Sequence, residues 1–231
     1  HYIRLTGDKS LSMRDFGRVI LPLQKVGANF KVNDKKTLPL QIMGSNFVNP
    51  IFYNEKRGSA QCKSAIMLAA LNSPGLTVIK AKKSRDHTEN IFKYLGIPII
   101  VKKNKHNDEI KVVGQKAFSS FKYKVPSDPS SCAFFIVLTL LSKNSELKIK
   151  NVNVNDSRIG YIKILNKMGA KIKIKNIKKR YGEKQADIFV KSQKILRKIN
   201  CSPSLNSNLI DEFLIIFLAA AKATGVSMFA N

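Results

Sequence analysis

The sequence has no tryptophan, and it is poor in cysteine, histidine and acidic residues for its 231 positions. The three cysteines, Cys62, Cys132 and Cys201, are widely spaced and form neither a Cys-x-x-Cys pair nor a cluster with histidine. This pattern argues against a structural metal site and against a disulfide scaffold. It favours a reducing compartment, so we expect a cytoplasmic protein without a bound metal.

Long apolar runs are also missing. The longest, residues 213–221, is far shorter than the stretch of about 20 apolar residues that a membrane-spanning helix needs. No signal-peptide pattern opens the chain, so we expect no membrane partner. The chain starts with His1 rather than methionine and ends directly after a helix-like run, and we interpret it as a fragment of a longer protein.

Negative charge is scarce. The sequence has 41 lysines and arginines but only 15 acidic residues, which gives a formal net charge of +26. Such an excess indicates either an anionic partner or a basic drift in composition. The lysines alternate with isoleucine at 171–175, which is typical of the solvated face of an outer strand. Because no paired-aromatic stacking motif occurs, we expect no nucleic-acid partner, although a basic nucleic-acid-binding protein remains an alternative.

One pattern occurs three times, at intervals of about 70 residues. An amphipathic helix is followed by a glycine and then by a strand-like run, and the glycines are Gly27, Gly96 and Gly169. Glycine at these points fits the left-handed conformation in which many helices end. Each copy therefore predicts one surface helix that leads into a strand.

A second kind of helix lies between these copies, at 59–71, 130–141 and 211–221. These helices are apolar on nearly all sides, which predicts burial. The chain therefore reads as an α/β (α+β) fold of repeated units, with central buried helices and outer strands. The polar stretch at 151–158 is the best candidate for a domain crossing. We expect 1–153 to form most of one globular domain and 154–231 to begin the C-terminal part of a second one.

Polar residues mark the N-termini of the predicted buried helices: Ser59 and Gln61, Ser130 and Ser131, and Asp211. The free N–H groups at a helix N-terminus form a natural site for phosphate or carboxylate. The same residue types are also ordinary helix caps, and capping is the favoured reading of Ser130, Ser131 and Asp211. Capping does not explain Gln61, which needs a polar partner when it enters a buried helix.

Arg14 is a candidate anion ligand, and Arg85 lies just before a predicted surface helix. Arginine holds carboxylate or phosphate with two parallel hydrogen bonds. For Arg14 a solvated surface role is normally the favoured interpretation. Next to Arg85, either Asp86 or Thr88 is expected to cap the following helix, and His87 is read as a structural polar residue.

Five segments together resemble the 5-enolpyruvylshikimate-3-phosphate (EPSP) synthase family, and they occur in the family's order. The segments are 5–14 (Leu-Thr-Gly-Asp-Lys-Ser-Leu-Ser-Met-Arg), 59–65 (Ser-Ala-Gln-Cys-Lys-Ser-Ala), 84–89 (Ser-Arg-Asp-His-Thr-Glu), 126–131 (Pro-Ser-Asp-Pro-Ser-Ser) and 209–212 (Leu-Ile-Asp-Glu). The resemblance implies six βαβαββ-type units, three in each of two domains, with the active site in the cleft between them.

The reaction that the resemblance implies transfers the enolpyruvyl group of phosphoenolpyruvate to the 5-hydroxyl of shikimate 3-phosphate, a step of aromatic amino acid biosynthesis. It proceeds by addition and then elimination of phosphate, without a metal or an organic cofactor. Because the intermediate carries several negative charges, cations and helix N-termini are expected to dominate catalysis. The implied partners are these two small anions.

Residue roles follow from the resemblance. Arg14 would bind phosphoenolpyruvate, and Ser59, the backbone of Ala60 and Gln61 would hold shikimate 3-phosphate. Gln61 would reach both substrates, and Arg85 would contact the shikimate side.

For Asp211 the resemblance implies a base on the attacking hydroxyl, in addition to a cap. Residues 7–10, Gly-Asp-Lys-Ser, also resemble the family's N-terminal segment, but the residues that follow match a later one, so Lys9 receives no catalytic role. Other active-site segments of the family are absent. We therefore expect this chain to be inactive alone and the complete protein to be a monomer. The related UDP-N-acetylglucosamine enolpyruvyl transferase is the alternative activity.

Overall fold

The computed structural model describes residues 2–114, 116–202 and 208–230, and three of the four sheets in this part of the chain share an order of three strands. Two compact units are present, His1–Ser120 and Phe121–Asn231. The first contains helices α1 (Lys9–Ser12), α2 (Gly17–Val26), α3 (Ala60–Ala70) and α4 (His87–Tyr94), and strands β1 (Tyr2–Leu5), β2 (Asn29–Lys31), β3 (Leu40–Met43), β4 (Phe52–Glu55), β5 (Leu76–Lys82), β6 (Ile99–Lys103) and β7 (Asn107–Val113).

The second unit contains three helices and five strands among its described residues. These are α5 (Pro129–Leu141), α6 (Gly160–Lys167) and α7 (Phe213–Ala221), with β8 (Glu146–Asn153), β9 (Lys173–Arg180), β10 (Glu183–Lys191), β11 (Asn200–Cys201) and β12 (Met228–Phe229). The second core is built from α5, α6, α7 and the strands around them.

The element order β4-α3-β5-α4-β6-β7 is one βαβαββ unit. Strands β4 and β5 run parallel, whereas β7 pairs antiparallel with both β5 and β6. The sheet order is β4-β5-β7-β6, and the orders β1-β3-β2 and β8-β10-β9 repeat its last three positions. This recurrence confirms the α/β class and the repeated unit that the sequence predicts.

Each of the apolar helices makes the connection between two parallel strand positions. Helix α3 joins β4 to β5, and α7 joins β11 to β12. Helix α5 follows Ser127, which bridges in parallel to Val152 of β8. In such a crossover the helix begins beyond the carboxyl end of its first strand, where ligands of α/β sheets bind. The polar residues singled out in the sequence therefore occupy equivalent places in the three repeats.

The surface helices end as predicted. Helices α2, α4 and α6 are followed closely by Gly27, Gly96 and Gly169, with φ values of 118°, 70° and 97°. These values lie in the left-handed region, which favours glycine. The strand β9 is exposed along almost its whole length, as the lysine alternation indicates. Among the described residues, no helix has the length and apolarity that crossing a membrane requires.

The three apolar helices are buried on one face only. In α5, Ile136 is fully buried in the core of its unit, whereas Phe135 and Leu138 are 60% and 63% exposed. In α7, Ile216 is buried and Leu214 is 80% exposed. The expectation of buried central helices therefore holds for one side of each helix, and the other side lacks a cover among the described residues.

The two units do not divide where the sequence predicts a domain boundary. The division lies between Ser120 and Phe121, and β8, which ends at the predicted boundary, pairs with β10 beyond it. Within the predicted polar crossing, Asn155 is buried and its side-chain amide donates to Glu183 at 3.1 Å. Polar residues there serve a buried network rather than solvent. How the units correspond to the domains of a longer protein stays a prediction.

We expect Ile136→Ala to lower the free energy of unfolding by about 2–5 kcal/mol, because it removes buried methyl groups and leaves a cavity. Leu138→Ala, on the exposed face of the same helix, should change it by about 0.5 kcal/mol or less. Urea denaturation of both variants measures the difference. Equal losses would contradict the one-sided burial of α5.

Candidate functional site

The first turn of α3 is fixed by its own cap. Ser59 occupies the N-cap position, and its hydroxyl accepts a hydrogen bond from the backbone N–H of Cys62 at 3.2 Å. The loop before it is held by Glu55, whose carboxylate accepts from the N–H groups of Arg57 and Gly58 at 2.9 and 2.7 Å. Ser59 therefore caps α3, and the cap together with the Glu55 hydrogen bonds fixes the backbone of the first turn.

Gln61 has the polar partner that its place in the helix demands. The guanidinium of Arg18 donates to Gln61 Oε1 at 2.9 Å, and Cys62 Sγ donates to the carbonyl of Arg18 at 3.1 Å. Sequence reasoning missed Arg18, because 43 residues separate it from Gln61. The available signal was a second arginine four positions after Arg14, at the start of an amphipathic helix.

Arg14 lies between α1 and α2 and is exposed. Its side chain makes no hydrogen bond or ion pair with another described residue, whereas its backbone N–H donates to Leu11 at 3.1 Å. The neighbouring acidic residue, Asp15, uses its carboxylate to accept from the N–H of Gly17 at 2.6 Å. Asp15 is therefore occupied at the start of α2, and the guanidinium of Arg14 faces solvent.

Arg85 precedes α4 and is joined to α3 through its backbone. Lys63 Nζ donates to the carbonyl oxygen of Arg85 at 2.9 Å. The hydroxyls of Ser64 and Thr88 form a second link between the same segments, at 2.6 Å. The structure therefore connects two segments that the sequence singled out, 59–61 and 84–89. Of the two expected caps, Asp86 holds the N-cap position of α4, but its side chain makes no capping hydrogen bond.

At the start of α5 the predicted caps are wrong. Asp128, not Ser130 or Ser131, is the N-cap, and its carboxylate accepts from the N–H and the hydroxyl of Ser131, both at 2.9 Å. Pro129 takes the first helical position, where its missing N–H costs nothing. Burial raises the pKa of Asp128, but the Ser131 hydrogen bonds and the charge of Arg158 outweigh it, so the pKa lies below its ordinary value.

Ser130 instead connects two other elements. Its hydroxyl donates to Glu212, which is buried, and accepts from the guanidinium of Arg158 at 2.8 Å. Arg158 also pairs with Asp128 at 2.8 Å. The start of α5, the approach to α6 and the approach to α7 are thereby tied together.

Asp211 lies in the turn before α7 and is exposed, whereas its neighbour Glu212 is the buried member of the pair. The helix begins two residues later than predicted, at Phe213, and Glu212 holds its N-cap position without a side-chain cap bond. Asp211 and the segments around Ser59 and Arg85 belong to different compact units, each with its own internal geometry.

None of the three cysteines forms a disulfide, and all three are buried. Burial raises the pKa of Cys62 and of Cys132 to about 11, so both remain thiols near neutral pH. Neither Cys62 nor Cys132 is therefore a thiolate nucleophile at neutral pH. Among the described residues, helix N-termini and arginines are groups that can bind an anion with fixed geometry.

The family model for EPSP synthase (3-phosphoshikimate 1-carboxyvinyltransferase) matches residues 1–231. A 3-phosphoshikimate 1-carboxyvinyltransferase of Ruthia magnifica subsp. Calyptogena magnifica is 42% identical over 228 residues, which are 98% of this chain and 51% of that protein. One from Thermodesulfovibrio yellowstonii is 40% identical over 96% of this chain and 51% of its own length. The chain spans about half the length of the curated relatives it matches.

Solved structures give the same result. The EPSP synthase of Acinetobacter baumannii superposes with a TM-score of 0.84 at 35% identity, over 98% of this chain and 51% of that one. The enolpyruvyl transferase NikO of Streptomyces tendae superposes with a TM-score of 0.67 at 10% identity, over 97% of this chain and 51% of that one, and it shows likeness of fold alone.

We expect Asp128→Ala to lower the free energy of unfolding by about 1–2 kcal/mol at pH 7, because it removes the cap of α5. Since the folded-state pKa of Asp128 is lowered, its contribution is present above the unfolded pKa near 4 and is lost as the pH falls through the folded value. Denaturation at pH 7 and at pH 3 should therefore show a smaller difference from wild type in acid.

Asp156→Ala is the matched control for this comparison, because Asp156 forms an exposed ion pair with Lys184 and caps no helix. Its effect should stay within about 0.5 kcal/mol at both pH values. An Asp128→Ala effect as small as that of the control would contradict the capping role.

Proposed function

Because the chain belongs to the EPSP synthase family, we propose that it forms part of an enzyme that transfers the enolpyruvyl group of phosphoenolpyruvate to the 5-hydroxyl of shikimate 3-phosphate and releases phosphate. The relatives described above are named for this reaction. The chain spans about half of their length, so the active site of the complete protein draws on residues outside it.

The observation that carries the proposal is the first turn of α3. A capped helix N-terminus, the amide of Gln61 and the guanidinium of Arg18 meet there, and the backbone of Arg85 is tied to the next turn. Backbone N–H groups at a helix start favour anions, and arginine binds phosphate and carboxylate with fixed geometry. Both proposed substrates are polyanions, so this chemistry fits them.

Within this proposal, Ser59, the backbone of Ala60 and Gln61 hold shikimate 3-phosphate, and Arg85 contacts the same substrate. Arg14, whose guanidinium faces solvent, binds phosphoenolpyruvate together with Gln61. The link from Arg18 to Gln61 Oε1 leaves the NH₂ group of that amide to point toward a substrate oxygen.

Asp211 is the proposed base. It is exposed, so its carboxylate reaches a substrate hydroxyl without first leaving a buried site. Its neighbour Glu212 is anchored by Ser130, which fixes the backbone of the turn that presents Asp211. Removing a proton from the attacking hydroxyl is the contribution that a carboxylate makes to this addition.

The proposal needs neither a metal nor an organic cofactor, because addition and elimination require only proton transfer and stabilisation of negative charge. Three buried thiols fit the reducing cytoplasm as the working compartment. We propose a monomer for the complete protein.

The test measures phosphate release from phosphoenolpyruvate by the complete reading frame that contains these residues. We expect release only when shikimate 3-phosphate is added, and Asp211→Ala should lower kcat by about 100-fold or more because the base is lost. Asp34→Ala, at another exposed aspartate, is the control and should leave the rate unchanged.

Three results would contradict the proposal. Phosphate release that requires UDP-N-acetylglucosamine instead of shikimate 3-phosphate would assign the related transferase activity. If a folded protein released no phosphate with either acceptor, the assignment as an enzyme would be wrong. Turnover by the 231-residue chain alone would show that half the length of the relatives suffices.

A further inference from the structure

A buried ion pair lies directly after the proposed binding segment of α3, two residues beyond Gln61. Lys63 and Glu89 have side chains that are 1% and 3% exposed, and Lys63 Nζ lies 2.5 Å from Glu89 Oε1. The same ammonium donates to the carbonyl oxygen of Arg85 at 2.9 Å. One cation therefore holds both the start of α4 and the turn before it.

Stability alone does not account for this pair. Taking two charges out of water costs more than a buried ion pair commonly returns, and apolar residues of similar volume often serve a fold equally well. Glu89 Oε2 is buried and has no hydrogen-bond partner among the described residues, so the carboxylate is only partly compensated. What an apolar pair could not supply is a donor to the Arg85 carbonyl.

The pair also fixes the distance between the first turn of α3 and the turn that carries Arg85. Lys63 lies two residues after Gln61 on one rigid helix, and Glu89 lies four residues after Arg85, in the first turn of α4. The contact between the hydroxyls of Ser64 and Thr88 adds a second connection between α3 and α4. The first turn of α3 and the turn that carries Arg85 are therefore held as one piece.

We propose that Lys63 and Glu89 are positioning residues, which hold the backbone of Arg85 against α3 so that Arg85 and the segment 59–61 bind one phosphorylated acceptor together. This inference rests on the proposed function, since it takes shikimate 3-phosphate as that acceptor. Residues that lock a binding group in place commonly decide how much of its affinity is realised.

The test uses the double substitution Lys63→Met with Glu89→Leu in the complete reading frame, because replacing both charges avoids an unpaired buried ion. We expect a folded protein whose KM for shikimate 3-phosphate rises about tenfold, the effect of losing one good hydrogen bond to a charged group. The KM for phosphoenolpyruvate should stay as it is. Amide hydrogen exchange over residues 84–88 should become faster.

Two further variants make the readout specific. Lys184→Met with Asp156→Asn removes an exposed pair of similar length, 2.8 Å, and should change neither exchange at 84–88 nor KM. Arg85→Ala should raise the KM for shikimate 3-phosphate by itself. Adding the Lys63 and Glu89 substitutions to Arg85→Ala should then raise it no further, because the pair acts through Arg85.

Unchanged exchange at 84–88 in the double variant would overturn the inference whatever the activity. Faster exchange with an unchanged KM, or a full additional rise in the Arg85→Ala background, would also overturn it, since the pair would then serve only the fold. Absence of shikimate 3-phosphate-dependent release by the unsubstituted protein would instead overturn the proposed function.

Discussion

One packing arrangement determines the rest of this structure: an apolar helix crosses between two parallel strand positions and buries one face on the sheet. Burial of Ile66 and Met67 in α3, and of Ile136 in α5, stabilises each repeat and fixes the direction of the helix. Since the crossover begins at the carboxyl end of a strand, every such helix presents its N–H groups at the same edge. The stabilising contact and the anion site that we propose are thus produced by one element.

That arrangement brings charged groups close to apolar cores, and the chain compensates them locally. Glu212 is anchored by Ser130, whose hydroxyl also accepts from Arg158, and Lys63 is anchored by Glu89. Each network begins within a turn of a residue that we assign to substrate. Buried polar groups of this kind are costly when broken, so they hold neighbouring backbone more firmly than exposed pairs do. The proposed site therefore depends on residues that never touch a ligand.

The sequence predicts the repeat, the two kinds of helix and the glycine ends, because each of these features is set by a local period or a local backbone conformation. It fails where the outcome depends on distant residues. The partner of Gln61 lies 43 positions away, and Ser130, inside α5 rather than at its cap, donates to Glu212, which is 82 positions away. The stretch at 151–158 resembles a linker in its polar composition. Asn153 and Asn155 within it are nevertheless buried, and their side-chain amides donate to Glu183. Apolarity on all sides of α5 predicts burial, but composition cannot say which neighbour covers each face.

The net charge of +26 raises the question of which cations would bind the anionic substrates that we propose. The lysines of β9 are exposed, and their ammonium groups are screened beyond about 8 Å at physiological ionic strength. Their field therefore raises the local concentration of anions without selecting among them. Selection requires a donor whose geometry is fixed before the ligand arrives. The guanidinium of Arg18 meets this condition through its hydrogen bond to Gln61, and the backbone from which Arg85 extends is held by Lys63. The exposed lysines do not, so within the proposed function we assign specificity to restrained arginines rather than to the bulk of the charge.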